Sequence, residues 1–139
     1  NQRNKMKLMK RTGNYKSSNV EFNPETIEAT SYEWWCFLKV IKGKRVFNAY
    51  NYSNTTCKHQ QNVRSLLDQL NITIDLIIET PDSLNSEVAL GDSITLYEKR
   101  IATLKLEIKK PRSQKKKNEE RKQIIKETQL KIKQVLNLM

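Results

Sequence analysis

The stretch Trp34-Trp35-Cys36-Phe37-Leu38-Lys39-Val40-Ile41-Lys42-Gly43-Lys44-Arg45-Val46-Phe47-Asn48-Ala49-Tyr50-Asn51-Tyr52 sets the fold. Its first eight residues are bulky and rich in aromatic and β-branched side chains, the composition of a buried strand. Lys42-Gly43-Lys44-Arg45 then supplies a turn, with Gly43 free to take a positive φ. From Val46 onward Val46, Asn48, Tyr50 and Tyr52 fall on one face and Phe47, Ala49 and Asn51 on the other, so the chain returns as a second strand reaching Tyr52. A hairpin is therefore the centre from which the rest is read.

Upstream, Asn23-Pro24-Glu25 has the form of a helix start: a capping Asn, Pro at the first helical position, and Glu25 and Glu28 facing the positive end of the dipole. This predicts a short helix over 24–32. Downstream, Thr55 or Thr56 can cap a helix over about 57–70, in which Val63, Leu66, Leu67 and Leu70 recur at helical spacing and which Asn71 can end. Ile72 to Glu79 reads as a further apolar, β-branched strand closed by Thr80-Pro81-Asp82. The expected core order is helix, strand, strand, helix, strand.

After a linker at 82–92 the pattern changes. Ile94, Tyr97, Ile101, Leu104 and Ile108 recur at three- and four-residue steps, an amphipathic helix ending before Pro111. Lys109 to Lys117 is a basic, Pro-containing turn, and Ile124, Thr128, Ile132 and Val135, with Ile125, Leu136 and Met139 alongside, form a second stripe. The fold class is α+β: a small α-β-β-α-β core over 23–85 followed by an antiparallel helical hairpin over 93–139, with residues 1–22 as a basic flexible arm.

Charge is segregated. The net charge is +11 in 139 residues. Residues 1–20 hold six basic and no acidic side chains, residues 21–98 hold six basic and eleven acidic ones, and residues 99–139 hold fourteen basic and four acidic ones. A mildly acidic globule with two basic ends is the footprint of a polyanion binder. The candidate nucleic-acid contacts are Lys42, Lys44 and Arg45 of the hairpin turn, Lys58, and the cluster Lys109, Lys110, Arg112, Lys115, Lys116 and Lys117. The apolar stripes, Ile94, Ile101, Leu104, Ile108, Ile124, Ile132 and Val135, are candidate partner-docking residues, because a free hairpin would leave them wet.

Other chemistry finds little support. Two cysteines, Cys36 and Cys57, imply no disulfide framework, and a reducing compartment fits, nuclear or otherwise intracellular. No run has the length of a membrane span and none resembles a signal peptide. Three Asn-x-Ser/Thr triplets, beginning at Asn51, Asn54 and Asn71, read as chance matches in an Asn- and Thr-rich chain. His59 and Cys57 offer two zinc ligands where a closed site needs four. Two residues apart on a helix they point to different faces, so they make no nucleophile–base pair either, and His59 reads as a polar helix-surface residue. Trp34 and Trp35 could stack on bases, but neighbours in a strand face opposite ways, so at most one can do so. No Gly-rich phosphate loop is present, and no cofactor or small-molecule substrate is expected.

The segments Lys44-Arg45-Val46-Phe47, Thr56-Cys57-Lys58-His59-Gln60 and Ile74-Asp75-Leu76-Ile77-Ile78, within about residues 25–85, resemble the restriction-endonuclease-like fold, most closely the virus-type replication-repair nuclease (VRR-NUC) family. In that family the returning strand carries Glu-x-Lys, a metal ligand and a lysine that positions the attacking water, with an Asp on the preceding strand. Here the returning strand reads Phe47-Asn48-Ala49-Tyr50-Asn51-Tyr52 and the preceding one has no acid. The resemblance therefore implies a nuclease-like domain without hydrolytic activity, a pseudoenzyme that keeps a DNA-binding scaffold. Small, basic and without a methyltransferase motif, the chain is also similar to the small accessory subunits of ciliate DNA N6-adenine methyltransferase complexes. That likeness implies a non-catalytic, DNA-binding accessory subunit whose partners are DNA and other protein subunits. The alternative is a structural adaptor that docks through its C-terminal helices without touching nucleic acid.

Overall fold

The computed structural model describes residues 15–17 and 19–139, and the chain divides into two compact units, Asn1–Ala89 and Leu90–Met139. The first is built on a six-stranded sheet in the order β1 (Tyr15–Ser17), β2 (Val20–Asn23), β3 (Glu28–Ser31), β4 (Trp35–Ile41), β5 (Lys44–Asn48) and β6 (Leu76–Ile78). Strands β1 to β5 form an antiparallel meander, and β6 lies parallel to β5. A parallel neighbour needs a crossover, supplied by helix α1 (Asn54–Gln69) between β5 and β6.

The central hairpin is as the sequence predicts. Lys42 and Gly43, at φ 47° and 77°, form a two-residue turn between Ile41 and its partner Lys44. Positive φ at both positions gives a twist that matches the strands, which Gly43 adopts without the penalty a Cβ brings. β5 is shorter than expected: Ala49 to Tyr52 leave the sheet and lead to α1.

Two expectations fail upstream of it. The predicted helix over 24–32 is instead a turn between β2 and β3. Asn23 does cap, its Oδ1 accepting the amides of Glu25 (2.9 Å) and Thr26 (3.4 Å). Only one turn follows, closed by the Ile27 amide on the Asn23 carbonyl at 3.0 Å, and Ile27 then sits at φ 57°. A single turn is below the length at which a helix sustains itself. Glu28 to Ser31 gain more by pairing on both sides, with Ala29 and Ser31 turned into the core. The expected arm over 1–22 is in part strand as well, for Tyr15–Ser17 and Val20–Asn23 pair with each other and Val20 and Phe22 are buried. The remainder of that arm lies outside the described residues. The core is thus five strands, a helix and a strand, and not the expected α-β-β-α-β.

Helix α1 is capped by Ser53, two or three residues before the threonines expected, with Ser53 Oγ accepting the Thr56 amide at 3.1 Å. It ends at Asn71, whose φ of 57° lets the Ile72 amide return to the Leu67 carbonyl at 2.9 Å. This six-to-one bond satisfies a terminal carbonyl that has no partner in the helix. Val63, Leu66 and Leu67 pack with Phe22, Trp35, Phe37, Leu38 and Phe47 in one core.

The second unit contains helices α2 (Ala89–Ile108) and α3 (Lys115–Leu136), joined by the basic turn. Ser93, Tyr97 and Ile101 on α2 and Ile125, Thr128 and Val135 on α3 are buried.

Where β5 ends, Asn48 is completely buried. Its Nδ2 donates to the carbonyls of Thr80 (2.8 Å) and Asp82 (3.3 Å), and its Oδ1 accepts the amides of Tyr50 (3.0 Å) and Thr80 (3.2 Å). Gln60 Nε2, from α1, donates to the carbonyls of Asn48 (2.7 Å) and Tyr50 (3.1 Å). Replacing Asn48 by Ala strands buried backbone groups, so Asn48→Ala is expected to cost about 2–4 kcal/mol in urea unfolding. A loss below about 0.5 kcal/mol, the scatter of surface substitutions, would contradict this account.

Candidate nucleic-acid interface

The basic turn is shaped by its own polar residues. Pro111 cannot continue α2. Ser113 Oγ bonds the carbonyls of Ile108 (3.1 Å) and Lys110 (2.9 Å), and accepts Asn118 Nδ2 at 3.0 Å. Asn118 Oδ1 in turn accepts Arg121 Nη1 at 2.9 Å. Glu107, near the end of α2, stands between Lys110 Nζ (2.7 Å) and Arg121 Nη2 (3.8 Å). The hydrogen bond from Lys110, helped by the two positive charges, holds its carboxyl below the usual range. Exposed pairs of this kind contribute little stability, so their effect is to pin the turn's geometry.

Lys109, Arg112, Lys115, Lys116 and Lys117 are left exposed, with no ion pair among the described residues. Three of them occupy the first turn of α3, whose N-cap Gln114 makes no side-chain cap bond and whose first turn holds no acid. Cations there oppose the helix dipole, an arrangement that typically costs about 0.3–1 kcal/mol per charge at low ionic strength. A bound anion reverses the sign of that term.

The sequence-derived cations of the first unit do not gather. Lys42 and Lys44 are exposed at the tip of the β4–β5 hairpin. Arg45 is tied down there: its amide donates to Asp75 Oδ2 at 2.8 Å and its Nη1 to the Thr73 carbonyl at 3.3 Å. Lys58 is exposed early in α1, towards the other end of the sheet. Of the candidate docking residues, Ile101 and Val135 are buried, and Ile94, Leu104, Ile108 and Ile132 are half-buried. Ile124 is exposed, as are Leu106, Leu130 and Leu136, which lie off the predicted stripes or at their margin.

His59 is not a surface residue. It is buried, its Nδ1 lies 2.7 Å from Ser31 Oγ, and its ring is 5.6 Å from that of Tyr32. Ser31 Oγ lies 3.3 Å from Thr56 Oγ1, which accepts Ser53 Oγ at 3.1 Å, so the network runs from β3 to the cap of α1. Ser31 has no exposed surface, and the pair therefore ties two elements together and presents no nucleophile. Ser31, Asn48, Thr56, His59, Gln60 and Thr80, the buried polar residues among those described in the first unit, all lie where β5 and β6 end and α1 begins. Carrying the Val63 and Leu67 stripe back one and two turns reaches His59, Gln60 and Thr56, the signal that would have placed these three inward.

Among the described residues no three His, Cys, Asp or Glu side chains are grouped as for a metal ion, and no helix is long and apolar enough to cross a membrane. Comparison of the chain with family models, with curated proteins and with solved structures gives no match.

Burial pushes the Cys36 thiol up to about 11, from 9.0, while its Sγ donates to the Leu38 carbonyl at 3.3 Å. Cys57 is only half-buried. At mildly alkaline pH a thiol reagent is expected to modify Cys57 in the native protein and Cys36 only after unfolding. The native thiol keeps its proton where an unfolded one has lost it. Its contribution to stability is therefore complete below about pH 9 and lost as pH rises towards about 11. Equal labelling of both cysteines in the native protein would overturn the assignment.

Proposed function

We propose that the chain is a non-catalytic DNA-binding subunit that holds the phosphate backbone through the basic turn between α2 and α3. The observation that carries this reading is the start of α3, where Lys115, Lys116 and Lys117 stand on an uncapped helix N-terminus without a compensating acid. Such a start is unfavourable for the helix alone and favourable once a polyanion lies across it. The reading covers backbone attachment, which is independent of sequence. Any chemistry on the DNA belongs to a partner subunit, on this reading a DNA-modifying enzyme such as an adenine methyltransferase.

The triple variant Lys115→Gln, Lys116→Gln, Lys117→Gln tests it in two measurements whose signs oppose. Affinity for unrelated duplexes should fall about equally, and the log–log salt slope should flatten by about 0.9 for each phosphate that is no longer neutralised. Thermal stability at low salt should rise, because the like charges at the dipole's positive end are gone. Unchanged affinity and slope would favour a structural adaptor that does not touch nucleic acid.

The nuclease-like reading carries its own expectation. With Asn48 saturated by backbone groups and Asp75 engaged with the Arg45 amide, neither side chain is placed as a free ligand. The protein is expected not to cleave DNA with Mg²⁺ or Mn²⁺. Metal-dependent cleavage that Asp75→Ala abolishes would refute this.

A further inference from the structure

The basic turn between α2 and α3 carries one hydroxyl among its cations. Ser113 stands within Lys109-Lys110-Pro111-Arg112-Ser113-Gln114-Lys115-Lys116-Lys117, with basic side chains on both sides of it. Ser113 is half-exposed, and Lys109, Lys110, Pro111, Arg112 and Gln114 are exposed. The backbone there is lightly held: the Ser113 amide bonds the Lys110 carbonyl at 3.1 Å, and Pro111 has no amide to bond. The start of α3 that follows makes no side-chain cap bond and is opposed by its own lysines, so it opens at low cost.

The Ser113 hydroxyl links the two helices. On the α2 side its Oγ faces the carbonyls of Ile108 and Lys110, at 3.1 and 2.9 Å, and on the α3 side it accepts Asn118 Nδ2 at 3.0 Å. A hydroxyl holds those carbonyls through its one hydrogen, and esterifying the oxygen removes that hydrogen. A phosphoryl group in its place would set a dianion against two carbonyl oxygens at the negative end of the α2 dipole. The other side offers donors. Asn118 Nδ2 is already in contact, and behind it Arg121 Nη1 reaches Asn118 Oδ1 at 2.9 Å, while the pair of Arg121 with Glu107 is long, at 3.8 Å. A phosphate on Ser113 would therefore leave α2 and turn to Asn118 and the Arg121 fork on α3.

We infer that Ser113 is a phosphorylation site whose modification switches off polyanion binding by the basic turn. The inference rests on the DNA-binding reading above and names its regulation. Ser113 Oγ takes the γ-phosphoryl group of a nucleoside triphosphate: the Oγ–P bond forms, the bond from that phosphorus to the bridging oxygen breaks, the hydroxyl proton passes to a base of the kinase and a nucleoside diphosphate leaves. The kinase is one with an acidic peptide groove, because cations flank the serine on both sides. The phosphate brings roughly −1.5 to −2 charges into the segment that holds Lys109, Lys110, Arg112, Lys115, Lys116 and Lys117. Held from within the chain, it competes with the phosphates of DNA for the same cations.

The test treats the full chain with ATP and a kinase selective for serines in basic segments, and reads the position of the phosphate by mass spectrometry. Ser113 of the folded protein should take up phosphate, and Ser113→Ala should remove that uptake. At about 0.15 M salt the phosphorylated chain should bind unrelated duplexes roughly ten- to thirty-fold more weakly, with a log–log salt slope flatter by about 1.5. Ser113→Ala loses the same hydrogen bonds without adding charge, and should bind duplexes as the unaltered protein does. Uptake in a peptide spanning the turn but none at Ser113 of the folded chain overturns the inference, and so does a Ser113→Ala variant that weakens binding as much as the phosphate. If the phosphorylated chain keeps its affinity while the lysine variant of α3 loses it, the switch is overturned and the DNA-binding reading stands. If the unaltered protein binds no duplex, both readings fall together.

Discussion

At the end of β5 the amide of Asn48 makes four hydrogen bonds in a place that water does not reach, and the architecture of the first unit depends on it. An Asn side chain has two donor hydrogens and an acceptor oxygen with two lone pairs, and all are used. The donors hold the loop after β6 through Thr80 and Asp82, and the acceptor holds Tyr50, where the chain leaves the sheet for α1. Gln60 completes the arrangement from the helix side, bonding the carbonyls of Asn48 and Tyr50. Two neighbouring parallel strands and their crossover helix are thereby joined at one point. A buried polar group costs several kcal/mol unless it is paired, so this joint is specific: an apolar residue would leave backbone groups stranded, and a carboxylate would face two carbonyl oxygens.

The parts of the fold that the sequence reveals are those set by local chemistry. The β4–β5 hairpin follows from a bulky run, a glycine and a returning apolar segment. Helix α1 follows from its apolar spacing, its end at Asn71 from the residue's tolerance of positive φ, and α2 and α3 from their three- and four-residue periodicity. Asn23-Pro24-Glu25 misleads because a capping residue starts a turn without deciding what comes next. Strand pairing on both sides of Glu28–Ser31 outweighs the helix start, and pairing partners are not visible in a local window. The candidate site divides in the same way. The basic turn is contiguous and can be read directly, whereas Ser31 and His59, 28 residues apart, meet only through the sheet.

Charge is distributed unevenly along the chain: residues 21–98 carry an excess of acids and residues 99–139 an excess of cations. Within the basic region, Glu107 is the acid placed between cations, and it sits where it orders the turn without neutralising the lysines at the start of α3. The three lysines at the start of α3 oppose the helix dipole, an electrostatic cost that added salt or a bound anion would relieve.

Among the described residues the sheet is bordered by β1 and β6, and β6 is a strand of three residues. An incoming strand from another polypeptide can form only a short ladder with β6, too short to compete with the entropy lost in aligning it. Assembly by β-augmentation is therefore disfavoured at the β6 margin. A short margin of this kind is a poor template for the edge-to-edge pairing that leads to fibrous aggregation.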